Sequence, residues 1–219
     1  MIRKRKSKVN YLVFDLDGTI IDSMLYIVLN FVHLFDLLSL PVPSLDQLVT
    51  CSGPTLKESF EKYFPGVDFN FLLTEYDDYA RKNTVRYSAL FPDEIRVLDS
   101  LVSAGYKLVL LTNKKREATD ILLKHFELEK YFIRTFTIDD VEYPKPDYRC
   151  LLKIMDCFQA APEEFFLIGD SLNDVLVGQK YHIPGGLCLW GLKKIPKLES
   201  TEEYYSFADI ARSLVTNDQ

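Results

Sequence analysis

Two carboxylates two residues apart, Asp15 and Asp17, follow directly on an apolar run from Val9 to Phe14. The run is typical of a buried strand, and on an extended chain two residues at that spacing leave on the same face. Gly18 then ends the strand. Charges at the end of a buried strand are costly unless they are paired or bound to a cation, so the pattern indicates a metal ion and chemistry. The alternative is a solvated loop in which both aspartates begin a turn.

The string from Phe14 to Ser23 resembles the first motif of the haloacid dehalogenase superfamily, most of whose members are phosphatases, and three further motifs follow in order. Thr112, at the end of a second apolar run, resembles the phosphate-binding hydroxyl of that family. Lys145, between two prolines, resembles its motif lysine, and the stretch from Gly169 to Asp174 resembles its acidic metal motif. Four ordered matches over most of the chain make the resemblance specific.

The resemblance implies a phosphatase that works through an aspartyl phosphate. In such an enzyme Asp15 is the nucleophile, and Asp17 is first the general acid and then the base that activates water. Carboxylates of Asp15, Asp170 and Asp174, with the main-chain carbonyl of Asp17, would hold Mg²⁺, which prefers oxygen ligands. Ser171 is a weaker candidate, for orienting the loop of the metal motif.

The resemblance also implies that Thr112 and Lys145 bind the phosphoryl group, with Asn113 as a further candidate for substrate contact. Taken singly, these residues have ordinary interpretations. Thr112 could cap the following helix, and Lys145 could be a surface lysine in a proline-stiffened loop. Asp170 and Asp174 could be an N-cap and a first-turn acid.

Alternating strands and helices predict an α/β fold, a Rossmann-like three-layer core whose mainly parallel sheet is covered by helices on both faces. Strands are predicted at Val9–Phe14, Lys107–Leu111, Phe165–Ile168 and Gly186–Trp190, with a weaker one at Ile133–Ile138. Helices are predicted at Asp93–Ala104, Glu117–Phe126 and Tyr148–Phe158. Ligands of such sheets bind beyond the carboxyl ends of the strands, where all the candidate residues fall.

A long interval between the first strand and the rest of the sheet holds no convincing strand. Helical patterns fill it at Met24–Leu38, Pro54–Tyr63 and Phe69–Asn83. The simplest organisation is a catalytic core of residues 1–21 plus 89–219 with an α-helical cap domain, residues 22–88, inserted after the first strand. This resembles the helical cap of one branch of the superfamily.

The cap string from Gly53 to Phe60 resembles the phosphoglycolate-phosphatase-like branch, whose enzymes act on phosphoglycolate, pyrophosphate or nucleoside monophosphates. Lys57, Arg81 and Arg86 could meet a second anionic group on the substrate. The stretch Gln179–Gly185, with bulky side chains, departs from that branch and leaves the substrate open. The expected function is a magnesium-dependent phosphatase of a small phosphorylated metabolite; the alternatives are a sugar phosphomutase and a catalytically silent binding or regulatory protein of the same fold.

Composition sets broader limits. The chain has 219 residues and a formal net charge of −6, which argues weakly against nucleic-acid binding. The basic stretch Arg3–Lys6 is interpreted as a solvated tail, and the helix beginning at Met24 carries too many polar residues to span a membrane. The four cysteines form no metal or disulfide pattern. We therefore expect a cytoplasmic protein, monomer or homodimer, whose partner is a small phosphorylated metabolite and neither a nucleic acid nor a membrane.

Overall fold

The computed structural model describes residues 9–191 and 201–215, and the basic N-terminal stretch lies outside them. The strands of these residues are β1 (Tyr11–Phe14), β2 (Ile21–Asp22), β3 (Ala89–Leu90), β4 (Lys107–Leu111), β5 (Phe132–Phe136), β6 (Phe165–Gly169), β7 (Gly185–Cys188) and β8 (Glu202–Tyr204). Six of them form one parallel sheet in the order β5-β4-β1-β6-β7-β8. The other two, β2 and β3, form a separate antiparallel pair.

Helices connect the strands. The α-helices of the described residues are α1 (Met24–Leu37), α2 (Leu45–Leu48), α3 (Leu56–Tyr63), α4 (Phe69–Asn83), α5 (Glu94–Ser103), α6 (Arg116–His125), α7 (Arg149–Phe158), α8 (Leu172–Gln179) and α9 (Phe207–Leu214). Two short 3₁₀ helices lie at Val49–Cys51 and Pro162–Glu164.

Both faces of the sheet are covered because side chains alternate along each strand. From β1, Leu12 and Phe14 enter one hydrophobic cluster, together with buried side chains of α5, α6 and α9. Tyr11 and Val13 enter a second cluster on the opposite face, against α7 and α8. The result is the predicted three-layer arrangement, with β1 near the middle of the sheet.

The helices α1, α3 and α4 have a hydrophobic cluster of their own. Its centre is Phe31, which is fully buried and whose ring lies within 6.4 Å of the rings of Phe60, Phe64 and Tyr76. The pair β2–β3 lies where the chain enters and leaves this helical segment, because Asp22 pairs with Ala89.

The α/β class and the parallel sheet are confirmed, and the predicted strands and helices occur with ends shifted by a few residues. The weaker strand prediction at Ile133–Ile138 corresponds to β5. Residues 22–88 contain one strand residue at their start, and β3 follows directly after them. No helix within the described ranges is both long and apolar enough to cross a membrane.

Candidate active site

The carboxyl-end edge of the sheet brings three candidate residues together. Asp15, Thr112 and Asp170 each follow the last residue of a strand, and those strands, β1, β4 and β6, are neighbours. The main chain continues the ladder for one more residue at Asp15, whose N–H donates to the carbonyl of Ile168 at 2.9 Å. Parallel register therefore places these side chains at one edge.

A buried acidic cluster lies at this edge. Carboxylate oxygens of Asp15, Asp170 and Asp174 all lie within 4.8 Å of one another, and all three residues are buried. The Lys145 ammonium reaches into the cluster, with its Nζ 2.7 Å from Asp15 Oδ1 and 2.5 Å from Asp174 Oδ1. Lys145 is only 4% exposed, so the surface-lysine interpretation is wrong.

Burial and like charge set the electrostatics of the cluster. Burial raises the pKa of Asp15; Lys145 opposes the rise, and the nearby carboxylates of Asp174 and Asp170 add to it. Burial alone would lower the pKa of Lys145, but its two carboxylate partners raise it above the ordinary lysine value. Lys145 contacts two of the three carboxylates, those of Asp15 and Asp174, and carries one positive charge against their two negative charges. The cluster is therefore suited to one more cation.

The metal-motif loop is folded tightly around Asp174. Ser171 is the N-cap of α8, and its N–H and hydroxyl both donate to Asp174 Oδ2, at 2.9 and 2.5 Å. The N-cap is thus Ser171 and not Asp170, while Asp174 is a first-turn acid as well as a member of the cluster. Gly18 has a φ of +83°, and a Cβ there would lie 2.2 Å from Asp170 Oδ2, so the two loops approach too closely for any side chain.

Asp17 points to different partners. Its Oδ1 accepts from the Ser23 hydroxyl at 2.6 Å, and the Lys114 ammonium lies 3.0 Å from each of its carboxylate oxygens. Lys114 is nearly buried and also lies over the ring of Tyr26 at 4.7 Å. Burial alone would lower the pKa of Lys114, but Asp17 raises it. Asp17 is therefore held as one member of a partly buried ion pair.

Thr112 and Asn113 differ in what they contact. The Thr112 hydroxyl accepts from the Lys114 N–H at 3.1 Å, which leaves its own hydrogen to donate elsewhere. The N-cap of α6 is Lys115, so Thr112 does not cap that helix. The Asn113 amide donates to the carbonyls of Gly53 and Lys145, at 3.0 and 2.9 Å, and its oxygen accepts from the Lys145 N–H at 3.0 Å.

A cavity of about 290 Å³ opens above this edge and extends towards α1 and α4. Asp15, Asp17, Thr112 and Asn113 line one end of it. Of the three cations proposed for a second anionic group, Lys57 lines the cavity. The other two engage elsewhere: Arg81 pairs with Asp78, and Arg86 lies over the ring of Tyr87.

This geometry agrees with comparisons to known proteins. A sequence model of haloacid dehalogenase-like hydrolases matches residues 12–185. The chain belongs to the haloacid dehalogenase-like hydrolase family. The match begins inside β1 and ends at the first residue of β7, so it covers all the candidate site residues.

Relatives of this hydrolase are similar to it along most of their length. Pyrophosphatase PpaX of Bacillus cereus strain Q1 is 28% identical over 193 residues, which cover 88% of this chain and 89% of the relative. A solved haloacid dehalogenase-like hydrolase from Streptococcus pneumoniae superimposes with a TM-score of 0.84 at 24% identity, over 94% of this chain and 99% of the other. A predicted phosphoglycolate phosphatase from Haemophilus somnus gives a TM-score of 0.83 at 21% identity, over 94% and 98%. The two structures share the fold of this hydrolase.

Three polar residues of the hydrolase site were not predicted for it from the sequence: Lys114, Ser23 and Asn173. Lys114 follows a predicted residue but is one of two adjacent lysines, and no pattern indicates that it pairs with Asp17. Ser23 ends the first-motif string, but its spacing from Asp17 does not reveal the hydrogen bond. Asn173 donates to the Gly53 carbonyl at 3.2 Å, a contact between segments 120 residues apart that only the fold produces.

Proposed function

We propose that this hydrolase is a magnesium-dependent phosphatase that cleaves the phosphate monoester of a small metabolite through an aspartyl phosphate on Asp15. The observation that carries the proposal is the meeting of Asp15, Lys145 and two further carboxylates beneath a cavity that Asp17 also lines. The name of the PpaX relatives, pyrophosphatase, supports hydrolysis of a phosphoryl bond.

In the first half of the reaction, a carboxylate oxygen of Asp15 attacks phosphorus while the bond from phosphorus to the alcohol oxygen breaks. Asp17 donates its proton to that leaving oxygen. The Thr112 hydroxyl, whose hydrogen is available, donates to a phosphoryl oxygen, and Lys145 balances negative charge between nucleophile and phosphoryl group. The alcohol leaves, and the phosphoryl group stays on Asp15.

In the second half, Asp17 as a carboxylate takes a proton from a water molecule, and the water oxygen attacks phosphorus. The bond from phosphorus to Asp15 breaks, inorganic phosphate leaves, and Asp17 is protonated again. Lys114 and Ser23 hold Asp17 through both halves, since each contacts its carboxylate directly.

The residues present fit Mg²⁺, because three buried carboxylates offer oxygen atoms within 4.8 Å of one another and oxygen is the ligand that this ion prefers. Asp15, Asp170 and Asp174 would hold it with their carboxylates, and Asp17 with its main-chain carbonyl. When bound, the ion would neutralise negative charge on the phosphoryl oxygens and the carboxylates.

We also propose that residues 1–21 plus 89–219 form the catalytic core and that residues 22–88 form a cap. Support comes from the separate hydrophobic cluster of α1, α3 and α4 and from the β2–β3 pair at the two connections.

Phosphate release tests the function. The panel contains phosphoglycolate, nucleoside monophosphates, sugar phosphates, small alkyl phosphates and pyrophosphate, each with magnesium and with a chelator. We expect magnesium-dependent release from at least one monoester, and Asp15→Asn should lower kcat by about 10³-fold or more, since it removes the nucleophile and preserves the shape.

The matched control is Asp22→Asn, because Asp22 is an exposed acid of the same motif string. It should keep wild-type turnover. Thermal melting of both variants confirms that they fold. Undiminished turnover in Asp15→Asn would refute the mechanism, and no release from any compound would refute the function.

A further inference from the structure

The cavity extends well beyond the groups that the reaction uses. Its volume, about 290 Å³, is the liquid volume of roughly ten water molecules, so it holds a compact organic group besides a phosphoryl group. The end away from Asp15 is bounded by side chains of α1, α3, α4 and α6 and of the loop after β5. Its apolar members include Ile27, Leu56, Phe69, Leu73, Ala118 and Ile138.

Two of the lysines that line the cavity form ion pairs with aspartates that line it too. Lys114 contacts both carboxylate oxygens of Asp17, and the Lys115 ammonium lies 2.6 Å from Asp77 Oδ2. Lys57 is the remaining lysine among the lining residues, and its side chain is 73% exposed, 4.0 Å from the carboxylate of Glu61. It thus lines the cavity while most of its side chain stays in solvent.

The acids that line the cavity outnumber its lysines. They are Asp15, Asp17, Asp77 and Asp139, against Lys57, Lys114 and Lys115. Without Asp15, the three remaining acids, as carboxylates, equal the three lysines, so the wall away from Asp15 carries no surplus positive charge for a second anionic group. To bind one there, Lys115 would have to leave the Asp77 carboxylate, and an unpaired carboxylate in a partly closed cavity is costly. Tyr26 and Tyr76 add uncharged aromatic surface to the same wall.

We infer that the leaving group of the substrate is an uncharged alcohol with a compact apolar or aromatic body, and not a group that carries a second phosphate or a carboxylate. The inference rests on the proposed phosphatase function. The names of two relatives suggest pyrophosphate and phosphoglycolate as substrates. Both compounds carry a second anionic group, so the inference predicts that this hydrolase disfavours them.

The first test compares benzyl phosphate with the same molecule bearing a carboxylate at the para position of the ring. Both leaving groups are benzylic alcohols, so the comparison isolates the added charge from leaving-group reactivity. We expect kcat/KM for benzyl phosphate to exceed that for its carboxylated form, and that for phosphoglycolate, by about tenfold or more.

Three other results are informative. Equal or better turnover of the carboxylated compound would overturn the inference while leaving the phosphatase function intact. So would a preference for phosphoglycolate or pyrophosphate. Magnesium-dependent release from none of the compounds in this comparison or in the wider panel would refute the phosphatase function, and the inference with it.

The second test frees one cation. Asp77→Asn removes the partner of Lys115, so its ammonium becomes available to an anionic leaving group. The ratio of kcat/KM for the carboxylated compound to that for benzyl phosphate should rise by about fivefold or more. Both members of this pair are about a third exposed, at 34% and 30%, so the substitution should leave folding intact, which thermal melting checks.

Asp78→Asn is the matched control, because Asp78 is the next residue of α4, is exposed and pairs with Arg81 outside the cavity. It should leave the ratio unchanged. A ratio unchanged in Asp77→Asn as well would show that the pairing of Lys115 with Asp77 does not disfavour an anionic leaving group, and would overturn the inference drawn from that pair.

Discussion

Two side chains hold the carboxylate of Asp17 in place. The Ser23 hydroxyl donates to its Oδ1, and the Lys114 ammonium contacts both of its oxygens. Ser23 is the N-cap of α1, yet it makes no capping hydrogen bond there. Its hydroxyl is directed to Asp17 instead. We infer that Ser23 is a positioning residue, which fixes the carboxylate that must meet the leaving oxygen.

Ser23→Ala tests this role. The change removes one hydrogen bond to a carboxylate and no helix cap, so we expect kcat to fall about tenfold with little change in KM. The free energy of unfolding should fall by about 1 kcal/mol or less. Steady-state kinetics and urea denaturation measure the two effects.

Ser103→Ala, at the exposed end of α5, is the control and should change neither quantity. If kcat in Ser23→Ala equals that of the wild type, the hydroxyl does not orient Asp17. If KM rises while kcat is constant, Ser23 acts in binding instead.

The order and spacing of acids, Thr112 and Lys145 were readable from the sequence because each follows an apolar run or stands in a proline-flanked motif. The partner of Asp17 could not be read in this way. Lys114 lies in the loop after β4, and β4 becomes a neighbour of β1 only in the folded sheet. Sequence patterns thus located the groups at the strand ends but not the contacts between them.

At the scale of elements, the well-predicted strands are the buried ones. β1, β4 and β6 are continuous apolar runs, as expected of strands covered on both faces. β8 went unpredicted because its sequence, Glu-Glu-Tyr, has no apolar run, and it joins the sheet at its edge through main-chain pairing with β7. The two-residue strands β2 and β3 are too short for any periodicity to appear.

The first turn of α5 contains a buried acid. Glu94 is only 1% exposed; its Oε2 accepts from the Phe91 N–H at 3.1 Å, and its Oε1 has no hydrogen-bond partner among the described residues. Burial raises its pKa from 4.5 to about 8, although the hydrogen bond from Phe91 opposes the rise. An acid near a helix N-terminus is ordinarily stabilised as the anion, so burial outweighs the helix dipole here.

The raised pKa predicts how stability depends on pH. Between pH 4.5 and about 8 the unfolded chain releases this proton while the folded protein keeps it, so the contribution of Glu94 to the free energy of unfolding falls as pH rises. The fall approaches about 1.4 kcal/mol for each pH unit within that window and levels off above it. Glu94→Gln removes the effect, so the variant should gain stability over the wild type at about pH 8 and gain far less at about pH 5.

Urea denaturation of both proteins at several pH values measures this difference. Glu117→Gln is the control, because Glu117 occupies the first turn of α6 and is exposed. It should produce no comparable pH-dependent gain. A gain in Glu94→Gln that is the same at every pH would mean that Glu94 does not keep its proton on folding.

At the scale of the whole molecule, one carbonyl group of the helical segment accepts hydrogen bonds from two residues at the edge of the sheet. The Gly53 oxygen, in the loop before α3, accepts from the Asn113 amide at 3.0 Å and from the Asn173 amide at 3.2 Å. The Asn113 side chain also donates to the carbonyl of Lys145 and accepts from its N–H. The two asparagines therefore connect the loop over the cavity to the same edge that carries the acidic cluster. Contact of Asn113 with substrate stays a prediction.

Asn173→Ala should loosen this connection without touching Lys145. Asn173 lies in the first turn of α8, where alanine is a good helix former, so the fold should persist. One hydrogen bond to Gly53 is lost, and we expect KM to rise about threefold to tenfold with a smaller change in kcat. Asn113→Ala should lower kcat as well, because it also releases the main chain of Lys145.

Hydrogen exchange without substrate separates a loosened loop from a lost substrate contact. Amides of residues 52–56 should exchange faster in Asn173→Ala than in the wild type, since the loop opens more often when one of its two hydrogen bonds to the sheet edge is absent. Asn70→Ala, on the exposed start of α4, should change neither exchange nor KM. A raised KM with unchanged exchange would mean that Asn173 binds substrate directly, and unchanged values of both would mean that Asn113 alone holds the loop.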